Sequence, residues 1–71
     1  MTVIRAKQYR GGETYIKLTE EVSYSDDTKL YYAPGFRWIA TKQHWSSNEL
    51  IHCLREYSMV PEGFEPDQVI R

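Results

Sequence analysis

Residues 2–9 and 14–22 alternate apolar and polar positions, the period-2 pattern of half-buried strands, with Gly11 and Gly12 between them. The pattern predicts a hairpin. A two-residue Gly-Gly loop would set Ile16 opposite Lys7 and mix apolar with charged residues on both faces. A three-residue loop over 10–12 instead pairs Ile4 with Leu18 and Ala6 with Ile16, and puts Gly12 where such a loop takes positive φ. The opposite face then shows Val3, Arg5, Lys7 and Tyr9 beside Tyr15, Lys17 and Thr19, with Arg5 unfavourably across from Lys17. Such a face is either solvated, its basic stems covering apolar surface, or a basic-aromatic surface for a partner.

Residues 23–28 (SYSDDT) read as a polar turn, and residues 29–33 and 36–41 as a second hairpin around Pro34 and Gly35, whose order suits a type II turn. That hairpin pairs Tyr32 with Arg37, Tyr31 with Trp38 and Leu30 with Ile39, so both of its faces are apolar. Residues 46–58 read as an amphipathic helix. Ser46 with Glu49 makes a capping box, Trp45 and Leu50 a hydrophobic staple, and Leu50, Ile51, Leu54 and Tyr57 a stripe at helical spacing. Pro61 ends the helix, Gly63 permits a turn, and residues 68–71 form a closing strand anchored by Phe64. The predicted architecture is α+β: an antiparallel sheet of two hairpins and a short C-terminal strand, with one helix packed on it, in a single domain over residues 1–71. One helix covers one face of the second hairpin. Either that hairpin is central, or one of its apolar faces, with Tyr31, Phe36 and Trp38 the candidate, is covered by loops and tail or meets a partner.

Composition narrows the means of stabilising so small a domain, which buries only about 60% of its unfolded surface. A lone Cys53 excludes an intrachain disulfide, and Cys53 with His44 and His52 does not supply four zinc ligands. A dense aromatic core or self-association remains, and a homo-oligomer is one open outcome. The net charge of -1 favours neither nucleic acid nor membrane, but the charges fall in blocks. Residues 1–19 are mainly basic, 20–27 are acidic only, 28–55 are mainly basic and the tail is acidic. Separate lobes of this kind orient a protein partner better than they bind a polyanion. Charge throughout the first 20 residues is unlike a signal peptide, and no apolar run reaches membrane-spanning length, so the expected location is the cytoplasm.

Catalytic chemistry is not written in the chain. On a helix His52 and Cys53 would diverge by about 100°. Glu49 and Glu56 would share an exposed face with no pocket, and Gly11-Gly12 lacks a following helix to cradle phosphate. The expectation is a non-enzymatic protein without cofactor or metal. Arg5, Lys7, Tyr15, Lys17, Tyr31, Phe36, Trp38 and Arg71 are the candidate partner-binding residues. A protein partner is favoured over nucleic acid, whose binders are usually strongly basic, whereas the pI here is near 6.1. A small nucleic-acid-binding regulator using the first hairpin is the alternative.

Residues 60–65 (VPEGFE), following Tyr57 and followed by Val69, resemble a segment of the small inhibitors of bacterial RNA polymerase made by T7-like phages. The resemblance covers about the last third of the chain. It implies antiparallel strands, one helix ending in an aromatic residue and a closing strand, and a function of occupying a polymerase surface to inhibit host transcription. That family carries alternating arginines on the closing strand. The corresponding positions here are Gln68 and Ile70, and the nearest base is Arg71.

Overall fold

The computed structural model describes residues 2–61, and these form an all-strand fold. The strands are β1 (Val3–Gln8), β2 (Glu13–Leu18), β3 (Ser23–Ser25), β4 (Leu30–Ile39), β5 (His44–Trp45) and β6 (Leu50–Met59). All pair antiparallel. β1 lies between β2 and β6, β6 between β1 and β4, and β2 returns to pair with β4, which closes a small barrel. Closure leaves β1 and β6 with a bonded neighbour on either side.

The first hairpin keeps the expected faces but not the expected partners. Ile4 pairs with Ile16, Ala6 with Thr14 and Lys7 with Glu13, around a three-residue loop over 9–11 in which Gly11, not Gly12, takes positive φ (113°). This register lies two residues from the one that hydrophobic matching alone selects. A two-residue shift preserves faces, so charge can decide. Arg5 now lies across from Tyr15 and Lys17 from Val3, and Glu13 is brought within 2.8 Å of Arg5 Nη2. The Arg5–Lys17 repulsion of the alternative is gone.

The second hairpin does not exist. β4 is a single long strand that runs through Pro34 and Gly35 without a turn. Along β4, residues 30–32 pair with β3 and 31–35 with β6, while 35–37 pair with β2 and 38–39 with β5. Gly35, paired with both β2 and β6, is where β4 passes from one set of neighbours to the other. Pro34 withholds a donor, but its carbonyl accepts from Thr19 N at 3.0 Å. The turn expected at 23–28 falls at 26–29, after β3. It closes with Lys29 N donating to Ser25 O at 2.8 Å and Lys29 at φ 60°.

The expected helix over 46–58 is also overturned: Leu50–Met59 is β6, and the fold is all-β, not α+β. β6 contains a bulge. Lys7 pairs with Glu56 but Gln8 with Leu54, so Arg55 is an extra residue. The bulge sends Leu54 and Tyr57, three apart, to the same interior face, and this spacing imitates a helical stripe. The cap signals are absorbed by tertiary contacts. Ser46 Oγ accepts from Arg37 N at 3.1 Å, the Glu49 carboxylate takes the Thr19 hydroxyl, and Trp45 pairs with Trp38. A cap is worth about 1 kcal/mol, and a lone helix of this length is marginal in water. A strand that satisfies the edges of both β1 and β4 wins.

The core is Ile4, Ala6, Ile16, Ala33 and Leu54, with Leu18, Val22, Tyr31 and Tyr57 packed against it. The closing strand expected at 68–71, the Phe64 anchor, the 60–65 resemblance segment beyond Pro61, and Arg71 lie outside the described residues.

Candidate binding face

The outer surface of β1, β2, β4 and β5 gathers most of the residues that the sequence nominates. Register builds it. Arg5 lies beside Tyr15, and Lys17 lies between Val3 on β1 and Phe36 on β4. Trp38 lies beside Trp45. Thr14 Oγ1 donates to Trp38 O at 3.4 Å and so extends the β2–β4 contact past the Ile16–Arg37 pair. Tyr15 and Trp38 then line one cleft of about 430 Å³, whose walls also include Arg5, Glu13, Thr14 and Arg37. The two aromatic sets that the sequence placed on separate hairpins are therefore one face.

Ring contacts preorganise this face. Trp38 and Trp45 meet edge to face, centroids 5.2 Å apart at 72°, and Lys17 Nζ lies 4.7 Å from the Trp45 centroid. A cation over an indole holds a long, flexible lysine in one place. Trp38 Nε1 is buried yet has no acceptor among the described residues. A covered N–H without a partner costs about 1–3 kcal/mol, so the indole sits in a position that a new acceptor would improve.

Charge on the face is partly neutralised. Arg5 Nε and Nη2 both donate to Glu13 Oε2, at 3.2 and 2.8 Å. This bond and the accompanying charge attraction hold the Glu13 carboxyl below the usual glutamate range and push the Arg5 guanidinium further up. A depressed carboxylate contributes stability above its unfolded pKa, and that contribution is lost as pH falls through the folded value. In an NMR titration the Glu13 midpoint is expected below the usual glutamate range, and Arg5→Ala should return it to that range. An unchanged midpoint in that variant would show that the pair is not formed in solution.

Three nominated residues lie elsewhere. Lys7 is drawn to Glu56 on β6, at 3.3 Å. Tyr31 faces the interior, against the core and 5.1 Å from the Tyr57 ring, because Pro34 and Gly35 do not reverse the chain. Arg71 is outside the described residues. Trp45 is the member that the sequence reading missed, having been assigned to a hydrophobic staple. Its signal was the proximity of two tryptophans, Trp38 and Trp45, separated by a loop short enough to pair them.

Among the described residues no group of three or more His, Cys, Asp or Glu could hold a metal ion. No helix there is long and apolar enough to cross a membrane. No protein family matches the chain, no curated protein matches its sequence, and no solved structure matches its fold.

Proposed function

We propose that this is a non-enzymatic binding module that takes a protein partner on the face formed by Arg5, Tyr15, Lys17, Phe36, Trp38 and Trp45. The observation that carries the reading is the convergence of four half-buried aromatic rings and two bases on one side of the barrel. Tryptophan, tyrosine and arginine dominate the energetics of protein interfaces, and rings already held in place lose little entropy on binding.

Protein is favoured over nucleic acid because Glu13 offsets Arg5 within the cleft and the net charge is -1. The exposed free thiol of Cys53 supports a reducing compartment such as the cytoplasm. Bacterial RNA polymerase is the partner that the VPEGFE resemblance nominates. The helix implied by that resemblance is a strand here, so the polymerase enters as a partner to be tested.

The test is capture by immobilised protein from nuclease-treated bacterial lysate, with purified RNA polymerase as a separate arm. Trp45→Ala and Lys17→Glu are compared with the unaltered chain, their folding checked by thermal melts. The expected result is a protein captured by the parent and lost from both folded variants. Identical capture by the variants would remove this face from the function. Binding only to nucleic acid, lost steeply with salt, would replace the reading with the nucleic-acid one.

A further inference from the structure

The two ends of the barrel carry opposite chemistry. At the end where β1 begins, a groove of about 590 Å³ is lined by the apolar Leu18, Val22, Tyr57 and Met59 and by the acidic Glu20 and Glu21. Met59 is 63% exposed, and both glutamates are exposed. At the end where β1 finishes, Tyr9 stands on the hairpin tip, 47% exposed. Arg10 and Arg55 place their guanidinium carbons 6.0 and 5.8 Å from its ring centroid. Among the described residues none of these glutamates and arginines is in an ion pair.

The tip is held ready. Tyr9 N donates to Cys53 O at 2.9 Å, which pins the tip to β6, and Gln8 Nε2 donates to Gly12 O across the loop at 3.2 Å. Arg55 reaches Tyr9 because it is the extra residue of the β6 bulge. Residues 2 and 9 are separated by an extended strand, roughly 23 Å at the usual rise, so one molecule cannot bring its own tip to its own groove.

We propose that the protein associates head to tail. Tyr9 of one copy enters the Leu18, Val22, Tyr57 and Met59 groove of the next, and Arg10 and Arg55 meet Glu20 and Glu21. The occupant is a second copy because both halves of the match lie on the same chain. An aromatic knob flanked by two cations faces an apolar groove flanked by two anions, and none of the four charges is in an ion pair among the described residues. The contact joins different patches, so it is heterologous and propagates into an open chain or a ring. The inference is independent of what the Trp38 face binds.

Sedimentation velocity over a concentration series, at low and high salt, tests it. The unaltered protein is expected to grow beyond a dimer with concentration and to revert towards monomer in high salt. Tyr9→Ser, the Arg10→Glu with Arg55→Glu pair, and the Glu20→Lys with Glu21→Lys pair should each weaken association by about tenfold or more. All of these positions are on the surface, and melts confirm folding. Mixing the two charge-reversed proteins should restore co-assembly, since each then offers what the other lacks. A wild type that stays monomeric, variants that assemble as the parent does, or a mixture that stays monomeric would overturn the proposal.

Discussion

Gly35→Ala is expected to cost about 3 kcal/mol or more, the upper range for overpacking against backbone that cannot yield. Gly35 is where β4 touches β2 and β6 at once, opposite Leu18 and Leu50. A Cβ there would lie far inside van der Waals contact of the Lys17 carbonyl oxygen, 2.9 Å from the carbonyl carbon and 3.0 Å from Leu18 Cα. These are main-chain atoms of the strand that closes the barrel, so no side chain can swing aside. The φ of 158° adds strain for any residue with a side chain. A domain of this size has total stability of roughly 4–10 kcal/mol, so the variant loses a large share of it. Gly12→Ala is the internal control, because a Cβ there meets nothing within 4 Å. Urea unfolding of the two variants should separate them clearly. A Gly35→Ala protein that unfolds with the parent would mean that β2 and β4 do not approach as described.

The same residue shows what local sequence can and cannot convey. Pro34 followed by Gly35 is strong turn chemistry, and the glycine is indeed required, but for a close approach of strands distant in sequence. Nothing within the dipeptide distinguishes these uses. The first hairpin was legible because its information is local. Period-2 alternation sets the faces, the glycine pair marks the loop, and hydrophobic matching sets its length at three residues. Its exact partners differ from those of hydrophobic matching because two registers share the same faces, and the one that brings Glu13 to Arg5 is favoured by charge.

The binding face was half legible for a related reason. Arg5, Tyr15 and Lys17 follow from alternation on one hairpin, and Phe36 and Trp38 from aromatic clustering. Their union depends on the β2–β4 pairing, which joins residues about 20 apart and leaves no periodic trace. A turn at Pro34 and Gly35 would put Tyr31 beside Trp38 on one face of a hairpin. With the strand continuous, residues 31, 33 and 35 share the interior face and Trp38 has the opposite parity. Trp45 was hidden by a capping pattern complete in its residue types yet used for long-range contacts.

The stretch that imitated a helix also supplies the sharpest discrimination between the two folds. A helix over 46–58 would bury Leu50, Ile51, Leu54 and Tyr57 together, so truncating any of them should cost similar amounts. In the barrel Leu54 is fully buried, while Leu50 is 58% and Ile51 67% exposed. Leu54 is opposite Tyr31 on one side and Gln8 on the other, in contact with the core of Ile4, Ile16 and Ala33. Leu54→Ala is therefore expected to cost about 3 kcal/mol, the sum of lost burial and an unfilled cavity. Few neighbours can collapse into that cavity, because the strands around it are bonded into a closed ring. Ile51→Ala should cost well under about 1 kcal/mol, as surface changes do. Equilibrium unfolding of the two variants measures both numbers. Comparable losses would restore the helix. A gap of about 2 kcal/mol or more, with Leu54 the costly one, is what a bulged strand with alternating faces requires.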